Sequence, residues 1–148
     1  MEQKRGYFGI GIELVKNDVN IGTLYRTAHI FEAAFIFTIG KRYKKQASDT
    51  TKSFRHIPLY HYNNFDEFYN QMPYDCKLIG IEITDNAIPL KEFKHPERCI
   101  YLLGAEDHGL TTRALKSCHD VIVLPGDMCL NVSVAGSIVI YDRITKVL

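Results

Sequence analysis

The stretch that decides the fold is VIVLPGDMCLNVSVA, which covers residues 121–135. Its β-branched start predicts a buried strand, and Pro125 with Gly126 ends that strand. A helix pattern follows over residues 131–147 and is apolar on nearly every side, which is typical of a buried helix. A buried strand, a tight loop and a buried helix together form a place where backbone groups could bind a small molecule.

Length and composition indicate one ordinary globular domain over residues 1–148. The chain is 46% hydrophobic and 24% charged, and no linker, repeat or low-complexity segment divides it. The formal net charge of +1 gives no indication of a nucleic acid or membrane partner. No apolar run approaches the ~20 residues of a membrane-spanning helix, and no signal segment follows the charged start. We therefore expect a cytoplasmic protein that does not bind membranes.

The four cysteines never form a C-x-x-C pair; they are Cys76, Cys99, Cys118 and Cys129. Scattered cysteines in a chain expected in the cytosol are usually reduced core residues. A zinc site is the alternative interpretation, but the spacing does not favour it, and we predict no metal.

Strand and helix patterns alternate along the chain. Six strands are predicted, at residues 7–14, 35–39, 57–62, 77–83, 99–103 and 120–124. Asn20 is a suitable N-cap for the first helix, and Asn64 with Glu67 resembles a capping box. Residues 111–118 and 131–147 are also predicted helices, whereas residues 84–98 contain two prolines and are predicted to be mostly irregular. This order predicts an α/β fold with a mostly parallel six-stranded sheet, flanking helices and a ligand beyond the carboxyl ends of the strands.

A basic segment lies between residues 40 and 56. Its six basic residues are Lys41, Arg42, Lys44, Lys45, Lys52 and Arg55. They stand against one acid, Asp49, and are interleaved with Tyr43 and Phe54. Such a segment is often only a solvated loop. Basic and aromatic residues together also suit phosphates and stacked bases, and we favour this second interpretation.

Taken singly, the polar loops after the strands are weak signals. Glu106 and Asp107 could form an acid/base pair, but adjacent residues rarely face one target. His108 lacks partners at metal-ligand spacing, and Cys129 lacks an evident base. Arg26 is either a solvated helix residue or an arginine directed across the strand ends.

Taken together, three segments are much more specific. They are NIGTLYRTA at residues 20–28, LLGAEDHGL at 102–110, and Leu124-Pro125 followed by LNVSVA at 130–135. In this order they resemble the three motifs of the SpoU, or TrmH-type, RNA 2′-O-ribose methyltransferases of the SPOUT superfamily. The resemblance covers nearly the whole chain.

The resemblance implies a parallel sheet whose C-terminal part forms a deep trefoil knot. It implies a homodimer in which the last helix and the first-motif helix line the interface. It also implies that S-adenosylmethionine is held by knot-loop backbone. The corresponding cofactor-binding positions here are Ile81, Gly104, Leu124, Cys129 and Leu130.

The implied reaction is methylation of a ribose 2′-hydroxyl in tRNA or rRNA. The resemblance assigns to Arg26 either removal of the hydroxyl proton or a grip on the adjacent phosphate. Asn20, Glu106 and Asn131 match positions that orient the ribose and the loops. RNA is then expected to bind the basic segment and the dimer.

Two departures from the family pattern keep an alternative open. Cys129 stands where the family usually has serine, and the span between Pro125 and Cys129 is shorter than usual. The alternative is a non-catalytic RNA-binding module on the same fold. A nucleotide-binding oxidoreductase is disfavoured, because Gly9-x-Gly11 lacks the third glycine of a dinucleotide fingerprint.

Overall fold

The computed structural model describes residues 5–40, 57–126 and 130–147. The elements in chain order are β1 (Tyr7–Glu13), α1 (Asp18–Ile30), β2 (Phe35–Ile39), β3 (Leu59–Tyr62), α2 (Phe65–Asn70), β4 (Lys77–Ile81), β5 (Ile88–Pro89), a 3-10 turn (Leu90–Glu92), β6 (Arg98–Leu103), α3 (Thr112–Ser117), β7 (Asp120–Val123) and α4 (Val132–Val147).

The strands form one sheet in the order β3-β2-β1-β6-β4-β7-β5. Each pair of neighbours is parallel, which confirms the predicted α/β fold. The predicted number of six strands is wrong, because β5 adds a seventh within a segment predicted to be irregular. This strand pairs only Ile88 and Pro89 with β7, so it is too short to show a period of two. Its proline is tolerated because β5 is an edge strand.

Helices cover both faces of the sheet. On one face α1 and α4 pack on strand residues such as Ile10, Ile79 and Tyr101. On the other face α2 and α3 pack on Phe37 and their neighbours. Gly9 and Gly11 of β1 lie under the rings of Phe35 and Phe37, where an added Cβ would meet ring atoms at 2.3 and 2.4 Å. The expected close approach at these glycines is thus made by aromatic side chains.

The first helix starts earlier than predicted. Asn17, not Asn20, is its N-cap, and the Asn17 side chain accepts a hydrogen bond from the Val19 N–H at 3.0 Å. Both residues are good caps, but Asp18 also places a negative charge in the first turn, which favours the earlier start. Asn20 is left inside the helix, where its side chain is buried and free to join other segments.

The capping box of α2 is present in a modified form. Asn64 accepts from the Glu67 N–H at 2.8 Å, as predicted. The Glu67 carboxylate accepts from the N–H of Asn63, one residue before the cap.

A second carboxylate acts at α3, where the buried side chain of Glu13 accepts from the N–H and the hydroxyl of Thr111.

The last helix is not buried on every side. Its inner face is buried, as predicted, and includes Val139 and Ile140. Its outer face carries Val134, Ile138 and Tyr141, which are 46, 40 and 60% exposed. These three positions lie along one stripe of the helix. Some of the apolar residues of α4 therefore lie on the surface of the single chain and not in its core.

Two of the predicted core cysteines, Cys76 and Cys99, are buried, and Cys118 is partly buried. Burial raises the pKa of Cys99 to about 11 and that of Cys118 to about 12, so these thiols stay protonated at neutral pH. Cys129 lies outside the described residues.

Arg143 and His95 fix α4 at the amino ends of the strands. Arg143 is buried and donates to the carbonyl oxygens of Pro96 at 2.7 Å and Glu97 at 2.9 Å. The His95 ring contacts the Tyr101 hydroxyl through Nδ1 at 2.6 Å and Asp142 through Nε2 at 2.7 Å. A neutral ring with its hydrogen on Nε2 satisfies both contacts, because Tyr101 can donate to Nδ1.

The His95 cluster predicts a pH-dependent stability. Burial lowers the pKa of His95 from 6.5; Asp142 opposes this shift, and Arg143 and Lys146 add to it. The unfolded chain then binds a proton that the folded chain does not. The resulting stability is present above pH 6.5 and is lost as the pH falls below it, by at most about 1.4 kcal/mol per pH unit.

Urea unfolding between pH 7.5 and 5 tests this expectation. The wild-type chain should lose more free energy of unfolding than the His95→Gln variant over this range. Tyr74→Gln, at a position that is 99% exposed, should behave like the wild-type chain. Equal pH slopes for wild type and His95→Gln would contradict the assignment.

Candidate functional site

A pocket of about 440 Å³ lies at the carboxyl ends of the central strands. Its walls come from the loops after β4, β6 and β7 and from the start of α4. These loops meet because β6, β4 and β7 are neighbours in a parallel sheet. The volume lies in the ordinary range for small-molecule sites, so the predicted position of the ligand site coincides with a real cavity.

Four of the five predicted cofactor positions line this pocket. They are Ile81, Gly104, Leu124 and Leu130. Cys129, the fifth, lies outside the described residues. The sequence therefore identified the segments that surround the cavity, whereas the role of each residue stays a prediction.

The loop of the second motif, residues 104–110, is called the second-motif loop and folds back tightly on itself. The Gly109 N–H donates to the Ala105 carbonyl at 2.9 Å. A Cβ on Gly104 would lie 2.1 Å from the Gly109 carbonyl carbon, so only glycine fits there without movement. This turn holds the backbones of Gly104 and Gly109 against each other beside the pocket.

Three of the predicted catalytic residues are joined by side-chain hydrogen bonds. The Asn20 amide donates to Glu106 Oε1 at 2.5 Å, and the Asn131 amide donates to Asn20 Oδ1 at 2.9 Å. Asn131 Oδ1 also accepts from the Ser133 N–H at 2.9 Å and so caps α4. These hydrogen bonds connect α1, the second-motif loop and the start of α4 at the rim of the pocket.

Lys16 and Asp107 form an exposed ion pair that also joins the end of β1 to the second-motif loop. The Lys16 ammonium lowers the pKa of Asp107 by donating a hydrogen bond to it. Asp107 is thus directed towards Lys16, whereas Glu106 is directed towards Asn20. The two acids do not form one acid/base pair, in agreement with the interpretation favoured from the sequence.

Arg26 is not among the residues that line the pocket. It is an exposed residue of α1, and it forms no hydrogen bond or ion pair with another residue that the structure describes. The six predicted RNA-binding residues, Lys41, Arg42, Lys44, Lys45, Lys52 and Arg55, lie outside the described residues.

Glu82 is a pocket residue that the sequence analysis missed. Its carboxylate accepts from the backbone N–H groups of Leu110 at 2.8 Å and Ile83 at 3.0 Å. The predicted strand at residues 77–83 placed Glu82 inside the sheet, whereas β4 ends at Ile81, so Glu82 lies at the ligand edge of the parallel sheet.

Within residues 5–40, 57–126 and 130–147, no group of three His, Cys, Asp or Glu side chains could hold a metal ion. No helix in these ranges is long and apolar enough to cross a membrane.

The hydrogen bonds that join Glu106, Asn20 and Asn131 at the pocket rim predict energetic coupling between these residues. Asn20→Ala and Asn131→Ala remove the same hydrogen bond, so the double variant should lose less stability than the two single losses combined. We expect a coupling of about 0.5–1.5 kcal/mol in urea unfolding. Asn64→Ala removes a cap that shares no partner with Asn20. That pair should be additive within about 0.5 kcal/mol. Additivity of Asn20 and Asn131 would contradict the coupling.

Solved structures of RNA methyltransferases share this fold. An AdoMet-bound rRNA methyltransferase from Sinorhizobium meliloti is 19% identical, with a TM-score of 0.85; the match covers 100% of this chain and 59% of that one. The A. aeolicus TrmH/SpoU tRNA modifying enzyme is 21% identical, with a TM-score of 0.81 and coverages of 97% and 76%. A structure concerning 2-OH methylation of C/U34 on tRNA is 18% identical, with a TM-score of 0.82 and coverages of 95% and 96%.

The chain thus spans less than two thirds of the length of the S. meliloti protein. A comparison with curated protein sequences gives no match. The model of the SpoU rRNA methylase family matches residues 8–141, which is nearly the whole chain. This chain therefore belongs to the SpoU rRNA methylase family.

Proposed function

We propose that this protein uses S-adenosylmethionine to methylate a ribose 2′-hydroxyl in tRNA or rRNA. The carrying observation is that the second and third family motifs wall a ligand-sized pocket, with the Glu106–Asn20–Asn131 chain at its rim. The AdoMet-bound S. meliloti protein and the structure concerning 2-OH methylation of tRNA support the cofactor and the acceptor group.

The pocket has features that suit S-adenosylmethionine. Gly104 and Gly109 line the cavity without side chains, and Glu82 and Glu106, which also line it, place carboxylates beside it. When bound, the cofactor supplies a methyl group on a positively charged sulfur. Ile81, Gly104, Leu124 and Leu130 are the residues proposed to hold it.

The protein must also position the ribose and deal with its proton. In-line attack makes orientation a large part of the rate enhancement, and we assign orientation of the rim to Asn20, Glu106 and Asn131. A guanidinium stays protonated in proteins, so we favour a phosphate grip for Arg26 over direct proton removal. Its exposed position on α1 leaves it available to an RNA phosphate.

We also propose a homodimer that covers the outer face of α4. Val134, Ile138 and Tyr141 line a groove together with Thr23 of α1. Arg26 lies one turn after Thr23, so a second copy on this groove would bring Arg26 to the subunit boundary. Membership of the family further supports a deep trefoil knot in the C-terminal part. The basic residues between 41 and 55 are proposed to bind RNA.

The first prediction here concerns the cofactor and Arg26. The wild-type chain should bind S-adenosylmethionine in calorimetry and transfer its methyl group to RNA. Arg26→Ala should bind the cofactor equally well but lose at least about 100-fold in methyl transfer, because a grip on the acceptor is removed. Arg26→Lys keeps the charge and should retain more activity than Arg26→Ala.

Mapping of ribose methylation in total RNA from cells with and without this gene would identify the RNA to use in that assay. Full activity of Arg26→Ala on this RNA would show that the role is wrong. Absence of cofactor binding at millimolar concentration would favour the non-catalytic RNA-binding module instead.

The second prediction concerns the proposed dimer. Ile138→Glu places a charge in the outer groove and should convert the dimer into monomers in sedimentation experiments, because a buried unpaired charge is costly. Methyl transfer should fall with it. Tyr74→Glu is the control: the Tyr74 side chain is 99% exposed and lies outside the groove, so this change should leave the dimer intact. A wild-type chain that is monomeric at micromolar concentration would contradict the proposal.

A further inference from the structure

Glu82 lies beside the pocket where the segment after β4, the second-motif loop and strand β7 meet. It follows β4 directly, and its carboxylate binds its own loop through the Ile83 N–H and the second-motif loop through the Leu110 N–H. Its backbone N–H donates to the Ile122 carbonyl of β7 at 3.1 Å. One residue therefore ties together the segments after β4 and β6 and the strand that leads into the third motif.

The second-motif loop is shaped to receive this carboxylate. Gly109 has a positive φ of 66°, and a Cβ at this position would lie 2.1 Å from Glu82 Oε2. The carboxylate thus rests directly on the backbone of the loop, with no side chain between them. A side chain at position 109 would displace the carboxylate, and movement of the loop away from β4 would break the Leu110 hydrogen bond.

We propose that Glu82 is a positioning residue for cofactor binding. It holds the second-motif loop at a fixed distance from the loop after β4 and so sets the width of the pocket. The inference rests on the proposed function, since S-adenosylmethionine is taken as the ligand. Loss of the carboxylate would leave the Leu110 N–H without its acceptor and the pocket wall free to shift.

Glu13 provides a matched control within the same chain. Glu13 is the last residue of β1, and its carboxylate accepts from the next amide along the loop, that of Thr111. It also accepts from the Thr111 hydroxyl. It serves the start of α3 and does not line the pocket. Glu13→Ala and Glu82→Ala therefore each remove a carboxylate acceptor from one of two adjacent amides, but only Glu82→Ala affects the pocket wall.

Two measurements on the full chain test the inference. The first is amide hydrogen exchange by NMR without ligand. Glu82→Ala should speed exchange of the Leu110 amide at least about 10-fold, whereas Glu13→Ala should affect Thr111 instead. The second is calorimetry with S-adenosylmethionine at a temperature where all variants are folded. Glu82→Ala should raise Kd at least about 10-fold, and Glu13→Ala should stay within about 3-fold of wild type.

A kinetic readout separates positioning from general destabilisation. Glu82→Ala should raise KM for S-adenosylmethionine and leave kcat at saturation within about 3-fold, because the reacting groups are retained. Cofactor binding by wild type together with unchanged exchange or unchanged Kd in Glu82→Ala would overturn the inference alone. Equal losses of affinity in both alanine variants would also overturn it. Absence of binding to the wild-type chain would overturn the proposed function and the inference with it.

Discussion

A pair of hydrogen bonds through one buried asparagine holds the pocket rim together. Asn20 uses its amide as a donor to Glu106 and its oxygen as an acceptor from Asn131. A buried amide is costly unless both of its ends find partners, so this side chain requires three distant segments to meet at one point. The meeting point is the edge of the pocket. One local demand for hydrogen-bond partners thereby fixes the relative positions of the three family motifs.

The parallel sheet makes this meeting possible. Ile81 of β4 pairs with Leu103 of β6, so the next residues, Glu82 and Gly104, leave the sheet side by side. The carboxylate of Glu82 then needs only the reach of its own side chain to bind the loop that begins at Gly104. A shift of the register by one residue would turn each side chain to the opposite face and separate these partners. Strand register is thus a functional constraint in this site.

Much of this arrangement could be predicted from the sequence, and the exceptions have physical causes. The main strands were found because buried parallel strands read as apolar runs, whereas β5 has only Ile88 and Pro89 and shows no pattern. The N-cap was misplaced because Asn17 and Asn20 are equally good caps by type. Motif order indicated the pocket, but Glu82 was missed because its role depends on pairing between β4 and β6. The outer stripe of α4 was predicted to be buried because an apolar pattern alone does not distinguish side chains that pack in the core from side chains exposed on the single chain.

Helix α4 is long enough to reach from the carboxyl ends of the strands, where the pocket lies, to their amino ends. Its 16 residues correspond to about 24 Å of helix. The seven residues of β1 correspond to about 23 Å of strand. The helix can therefore be fixed at both ends of the strands at once. Asn131 caps it at the carboxyl edge, and Arg143 binds the Pro96 and Glu97 carbonyls at the amino edge. Because the distal anchor prevents sliding along the sheet, the Asn131 amide is held opposite Asn20. The buried arginine far from the pocket thus contributes to the geometry of its rim.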